Sequence, residues 1–171
     1  AAAAKDAGAG MVMVTGLGER DHLRLEAARD FGADVVVDVA DADPVAALRK
    51  ANDGRRADVV VDVTANAPAA LGQAVDLATT GGRVVLAGTR NSTDTPAFVP
   101  DLVTFKELTL IGALGVDAPA YRRALEVLAS DRWPFRTVSR TVARLDAAVD
   151  LLTTMAGEGD TPPPVHAVLV P

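Results

Sequence analysis

The sequence of 171 residues contains no cysteine, which removes disulfide frameworks and thiolate metal sites from consideration. Histidine is nearly as scarce: His22 and His166 are too few to build a zinc cluster by themselves. The aromatic residues are one tryptophan, one tyrosine and four phenylalanines, so the core must be aliphatic. No apolar run approaches the roughly 20 residues of a membrane-spanning helix. The opening "AAAAKDAGAG" lacks the basic start and long apolar stretch of a secretion signal, so a soluble cytoplasmic protein with no membrane partner is expected. An excess of positive charge is missing too. The formal net charge is −6, and no basic stripe carries interleaved aromatics, which argues against a nucleic-acid partner. Nor does the phosphate-cradling pattern G-x-G-x-x-G occur.

What the chain does contain is repetition. "ADVVVDV" stands at Ala33–Val39 and again at Ala57–Val63. Each copy is an apolar run rather than an apolar/polar alternation, the pattern of a strand covered on both faces in a parallel sheet. The segments around the copies differ and no third copy exists, so a shared environment, not a solenoid repeat, accounts for the duplication. Strand and helix patterns alternate along the chain. "MVMV" (Met11–Val14) reads as a short strand. A helix over 20–33 follows, with Asp21 as N-cap, Leu23, Ala27, Ala28 and Phe31 on one face, and Gly32 closing it. A helix over 41–54 has Asp43 as N-cap, Pro44 in its first turn and Gly54 past its end. A glycine-closed helix over 67–82, a strand at Arg83–Gly88, a polar loop over 89–101 and a helical turn near 102–107 continue the series. A strand at Leu108–Gly115 and a helix over 118–131 come next. Residues 136–145 fit either a strand or an extended connector, 146–159 a helix, "DTPPP" a stiff linker and "VHAVLVP" a final strand. Asp34, Asp38, Asp58 and Asp62 fall at the entries and exits of the repeated strands, where solvated strand ends are the simplest reading. The expected fold is α/β, a doubly wound, mostly parallel sheet of the Rossmann type, in one domain over 1–171.

In such sheets ligands bind beyond the carboxyl ends of the strands. Those ends are Thr15–Gly16, Asp62–Thr64, Gly88–Thr89 and Ala113–Gly115. Glycine there either lets a ligand approach the backbone or simply makes a turn. A dinucleotide fold places its ribose-reading acid ~20 residues beyond the glycine fingerprint. Taking Gly16 as that position puts the fingerprint before Ala1, and "AAAAKDAGA" becomes the back half of the helix that the glycine loop opens. The chain is then expected to be an N-terminally truncated piece lacking the first, central strand and its glycine-rich loop, with a gap in the sheet.

The run "MVMVTGLGERDHLRLEAARDFGADVVVDV", then "RRADVVVDVTANAPAALGQAVDLATTGGRVVLAGT", then "KELTLIGALG" resembles the nucleotide-binding half of the medium-chain, zinc-type alcohol and polyol dehydrogenases. The closing "PVHAVLVP" resembles the return of that family's chains to their catalytic domain, so residues 160–171 are expected to be a tail toward a domain not in this sequence. The resemblance implies hydride transfer between an alcohol carbon and NAD or NADP. It also implies a catalytic zinc held on the separate domain, which this segment does not bind, and a small alcohol or polyol substrate. The segment alone is expected to be inactive, with no catalytic and no metal-binding residues.

Carried over residue by residue, the resemblance puts Thr15 and Gly16 at the adenosine ribose, where NAD-preferring members have an acid. The missing acid removes a barrier to a 2′-phosphate, and Arg20 and Arg24 lie just beyond to supply positive charge, against a plain reading as solvent-facing helix residues. Glu19 is able to read a ribose hydroxyl instead, so the balance tips only slightly to NADP. Asp62, Val63 and Thr64 resemble the loop along the adenine and ribose side. Ala87, Gly88 and Thr89, with Ala113, Leu114 and Gly115, resemble backbone flanking the nicotinamide. His166 is read as structural rather than as a general base, and His22 as solvated. If "LTLIGALG" is the last strand, its outer edge pairs in this family with a twin, which implies a homodimer or tetramer. Two other readings stay open. One is a methyltransferase using S-adenosylmethionine, whose fifth strand "TTGGRVVLAG" suits but whose terminal antiparallel hairpin the tail does not resemble. The other is a non-catalytic nucleotide-binding module.

Overall fold

The computed structural model describes residues 1–91, 94–95, 97–158 and 161–171. Part of the expected polar loop (Ser92, Thr93 and Pro96), the end of the helix expected over 146–159 (Gly159) and the start of the expected linker and tail (Asp160) lie outside the described residues. In chain order the elements are α1 (Ala2–Asp6), β1 (Met13–Gly16), α2 (Gly18–Asp30), β2 (Val35–Asp38), α3 (Pro44–Ala51), β3 (Ala57–Asp62), α4 (Ala70–Leu77) and β4 (Ala78–Leu86). They continue with α5 (Asp101–Phe105), β5 (Thr109–Gly112), α6 (Ala118–Ala129), β6 (Arg140–Arg144), α7 (Ala148–Ala156) and β7 (His166–Val170).

Every strand pair among the described residues is parallel, and each is joined through a helix, the connection parallel neighbours require. β1 runs beside β2, β3 beside β4 beside β5, and β6 beside β7. Among the described residues the strands form three separate sheets. The chain divides into two compact units, Ala1–Pro44 with Ala118–Pro171, and Val45–Asp117.

In the unit of residues 45–117 the core forms where α4 lies on β4. Ala78 and Val84 are fully buried against Ala74, with Val60, Leu86 and Leu108 around them. Gly72 lies so close to the backbone of Ala97 that a side chain there would sit 2.6 Å from its carbonyl oxygen. β4 begins at Ala78, five residues before the expected strand start, and so takes up "ATTGG", which the sequence pattern assigns to the preceding helix. Ala57 faces Ala78 and Val59 faces Arg83, so the extra β4 residues bulge out, with Gly81 at φ +74°.

In the other unit, Leu25, Ala33 and Val37 are buried between α2 and β2, and Phe31 meets Phe135 with ring centroids 4.9 Å apart. Asp6 accepts from Arg132 at 2.8 Å and from the Trp133 indole nitrogen at 3.2 Å, tying the two ends of this unit together. The helix expected over 20–33 starts earlier, at Gly18, and Asp21 is not its N-cap. Asp21 sits in the first turn and its Oδ2 accepts the Leu17 N–H at 3.0 Å. The inward face is Asp21, Leu25 and Ala28, while Leu23 is exposed, because the close approach of Gly16 selects that stripe. Residues 140–144, left open between strand and connector, are the strand β6.

The covered-on-both-faces reading of the repeated heptapeptide holds only in part. In β2, Val37 is buried and its neighbours half-buried. In β3, Val59 and Val61 are more than half exposed while Val60 and Asp62 point to the packed side. Alternate residues of a strand point to opposite faces, and α4 covers only one of them.

Candidate functional site

The parallel registers bring strand exits level with one another. In the 45–117 unit Asp62 pairs with Leu86, and Leu86 with Gly112, so Asp62–Thr64, Ala87–Thr89 and Ala113–Gly115 all leave the same end of the sheet. The exits are stitched together by backbone. Ala87 N–H and Gly88 N–H both donate to Asp62 O, Asn66 N–H donates to Thr89 O, and Ala113 N–H donates to Leu86 O. Gly88 is packed onto Thr64. A Cβ at this position would collide with the Thr64 carbonyl oxygen and lie 2.6 Å from its carbon. So the glycine here serves the approach of two loops. Beside these turns Val63 is 73% and Leu114 94% exposed, leaving apolar side chains open at the rim. Gly115, with φ +71°, ends this stretch.

Asp62 is not the solvated strand end the sequence suggests. Its side chain is 3% exposed, pairs with Arg90, itself 11% exposed, and accepts the Thr64 N–H at 2.9 Å. Arg90 also donates to Gly88 O at 3.4 Å, while its Nε has no acceptor. Asn91 donates to Asn66 Oδ1 at 3.0 Å. Arg90 escaped the sequence reading. The signal was a single arginine two residues past the glycine of a strand exit, level with an acid ending the neighbouring buried strand.

In the other unit the exits of β1 and β2 are level, Gly16 facing Asp38. Thr15 is exposed, and Gly16 is pressed against α2. A Cβ there would lie 2.8 Å from Asp21 Cβ and 2.9 Å from Leu25 Cδ2. The amino end of α2 is occupied by carboxylates of the chain itself: Asp21 takes the Leu17 N–H, and Asp38 takes the Gly18 N–H at 2.8 Å and the Ala40 N–H at 2.9 Å. Those backbone N–H groups, Gly18 first, hold the Asp38 carboxyl below the usual carboxylate range. Asp34, at the entry of β2, is held low as well, first by Lys5, 2.7 Å away, and then by the Val12 N–H. Both cations expected near the ribose have partners within the chain. Arg24 pairs with Asp21 at 2.9 Å, and Arg20 donates to Ala156 O at 3.3 Å. Glu19 is exposed in the first turn of α2. His22 lies 3.2 Å from Glu26 on the open face of α2, and His166 is exposed at the start of β7.

A family model described as zinc-binding dehydrogenase matches residues 1–130. The chain belongs to the zinc-binding dehydrogenase family. It is 61% identical, over its whole length, to a probable alcohol dehydrogenase of Mycobacterium tuberculosis, and spans 47% of that relative. Over 75% of its length it is 33% identical to the sorbitol dehydrogenase of Bacillus subtilis, of which it spans 35%. Among solved structures, an alcohol dehydrogenase of Aeropyrum pernix superposes over 98% of this chain and 45% of its own, with TM-score 0.77 and 22% identity. A putative zinc-binding dehydrogenase of Sinorhizobium meliloti bound to NADP does so over 99% and 47%, with TM-score 0.77 and 25% identity. The chain therefore spans less than half the length of each of these relatives. The Rossmann-type fold expected from the alternating pattern is the fold of these dehydrogenases. The methyltransferase reading falls with the family match, and the parallel β6–β7 pair is not the antiparallel hairpin that reading requires.

Membership in a zinc-binding family raises the question of whether these residues fit the metal. Among the described residues no three His, Asp or Glu side chains come together as a metal site, and the chain has no cysteine. The donor set of this segment does not fit a zinc ion. Among the described residues no helix is long and apolar enough to cross a membrane.

Proposed function

We propose that this chain is the nucleotide-binding half of an alcohol dehydrogenase that moves a hydride between the carbinol carbon of a small alcohol or polyol and a nicotinamide dinucleotide. The observation that carries the reading is the level row of exits at Asp62, Leu86 and Gly112, flanked by open Val63 and Leu114. A flat, partly apolar ring suits an apolar rim backed by fixed backbone, and in parallel α/β folds this end of the strands is where ligands sit. On this reading Val63, Thr64, Ala87, Gly88, Thr89, Ala113, Leu114 and Gly115 flank the nucleotide through shape and backbone. Asp62 holds the loops from behind, and Thr15 and Gly16 face the adenosine ribose. Residues 1–171 act as one nucleotide-binding domain, with 160–171 leading back to a catalytic domain, and the protein is cytoplasmic.

For the cofactor we propose NAD, reversing the slight preference for NADP drawn from the sequence. Asp21 and Asp38 both stand at the amino end of α2 and occupy its first N–H groups, Arg24 is already paired with Asp21, and Arg20 is turned to Ala156 O, which leaves no donor there committed to a 2′-phosphate. The outer edge of β5 has no partner strand among the described residues, and Leu110 and Ile111 on it are exposed, which supports pairing with a second copy in a homodimer or tetramer.

The test is a steady-state assay of the whole protein with zinc, a panel of alcohols and polyols, and either dinucleotide, following the near-ultraviolet absorbance of reduced nicotinamide. Turnover with a higher kcat/KM for NAD is expected. Absence of both turnover and any dinucleotide-dependent thermal shift would overturn the reading, and a clear preference for NADP would overturn its cofactor half. Sedimentation as a monomer at micromolar concentration would remove the oligomer.

A further inference from the structure

At the other end of the 45–117 unit lies a cavity of about 360 Å³, lined by Arg49, Asn52, Arg55, Arg56, Asp58 and Thr79. Arg56 immediately precedes β3, and Asp58 is its second residue. At about 3.3 Å per strand residue, Asp58 is roughly 13 Å from Asp62, so the cavity is separate from the row of exits.

Its electrostatics run against those of the whole chain. Three guanidinium groups face one carboxylate, in a protein whose net charge is −6. Residues of α3 and the loop after it bond the Arg49 and Arg55 guanidinium groups and the Arg56 backbone. Arg49 Nε donates to Gly54 O at 3.1 Å, Arg55 Nη2 to Asn52 Oδ1 at 3.4 Å, and Asn52 Nδ2 to Arg56 O at 3.3 Å. A guanidinium has five N–H donors, so one such bond on Arg49 and one on Arg55 leaves most of the fork for another acceptor. One terminal nitrogen of Arg56 is buried with no acceptor at all, a costly arrangement for a cation. Lys106 lies near Arg56, with the Asp76 carboxylate opposing the effect of that charge on it. Its Nζ donates to Val75 O and Asp76 O, and its pKa is held down first by burial and then by the positive charge of Arg56.

We propose that this cavity is an anion site for a phosphate group, either free or carried on a small phosphate monoester. Planar guanidinium forks match the oxygens of phosphate and make short, charge-assisted bonds to it. The cavity is open to solvent on one side, which leaves room for an organic group beside the phosphate. One bond each to the α3 loop holds the exposed Arg49 and Arg55 side chains near the cavity, which lowers the ordering cost of binding.

The experiment is calorimetric and thermal-shift titration of the whole protein with inorganic phosphate and with glycerol 3-phosphate, against sodium chloride at matched ionic strength. Saturable binding of either phosphate, absent with chloride, is expected. Tighter binding of glycerol 3-phosphate marks a monoester as the guest, and equal binding marks free phosphate. Arg49→Gln with Arg55→Gln should weaken phosphate binding by about tenfold or more, the loss expected for charge-assisted contacts. Arg55→Lys alone, which keeps the charge and loses the fork, should weaken it less and serves if the double variant does not fold. Failure of phosphate to saturate beyond the chloride control would overturn the proposal. So would undiminished affinity in Arg49→Gln/Arg55→Gln, which would place the phosphate elsewhere, as at a dinucleotide's own phosphates. Dinucleotide binding by the double variant should be unchanged, so the failure of this site leaves the dehydrogenase reading standing.

Discussion

Replacing Asp62 with Asn removes one charge from the pair with Arg90 while keeping an oxygen for the Thr64 N–H. Both side chains are nearly out of solvent, 3% exposed for Asp62 and 11% for Arg90, so the guanidinium left behind cannot be rehydrated without opening the loops. Breaking a buried pair from one side costs about 3–5 kcal/mol, most of it the stranded charge. Arg90→Met strands the carboxylate instead and should cost a similar amount. Asp62→Leu with Arg90→Met removes both charges and should cost less than either single change, because Arg90 Nε already lacks an acceptor and the pair's desolvation is incompletely offset. Urea unfolding followed by far-ultraviolet circular dichroism gives the four corners of the cycle, and hydrogen exchange at β4 amides such as Val84 reports the same unit directly. The exposed pair Arg123–Glu126, with both side chains over 60% open, is the internal control and should be worth less than about 1 kcal/mol. Single-variant costs in that same small range, or strictly additive costs in the cycle, would refute the claim that this pair locks the two exit loops.

Three further outcomes follow from the same geometry. Gly88→Ala drives a methyl into the Thr64 carbonyl and should cost ~1–3 kcal/mol or more by urea unfolding, with weaker dinucleotide binding; a neutral result would mean the loops are not in contact. Gly16→Asp, which would add a carboxylate at the exit of β1, should destabilise by a comparable ~1–3 kcal/mol because Asp21 Cβ and Leu25 leave no room; unchanged stability would show that α2 stands further from β1. The folded-state pKa values of Asp34 and Asp38 are lowered, so their stabilising contribution is present above the ordinary carboxylate value of 3.8 and is lost as pH falls below it through the depressed values. The unfolding midpoint of Asp38→Asn should therefore fall less steeply than that of the parent below pH 3.8, and parallel curves would contradict the assignment.

Much of the architecture is legible in the amino-acid sequence. Six of the seven strands among the described residues, and the helices between them, follow from apolar runs alternating with helical stretches, whereas residues 136–145 stayed open between strand and connector; parallel pairing follows from that alternation, although β3 is covered on one face only. Helix ends were readable where special residues mark them: Pro44 opens α3, and Gly32 and Gly54 follow α2 and α3 with φ of +87° and +79°. The exits at Asp62–Thr64, Ala87–Thr89 and Ala113–Gly115 were legible as strand ends, because a strand's direction and length alone locate its carboxyl end. Less legible was what each polar residue does there. Asp34, Asp38, Asp58 and Asp62 share a local context, yet one is buried against Arg90, one caps α2, one pairs with Lys5 and one lines the cationic cavity.

The division has a physical cause. Sequence by itself determined the period of apolar residues, the positions that break helices, the missing cysteines and the sign of the net charge, all of which act within a few residues or over the composition as a whole. Only tertiary structure decided which charges are neutralised and where glycine is compulsory. Asp62 and Arg90 are 28 residues apart, and Gly88 and Thr64 belong to different loops, so their meeting depends on the register of β3 on β4. Burial and pairing are properties of neighbours in space, and a parallel sheet chooses those neighbours through crossovers that leave no mark on the local pattern.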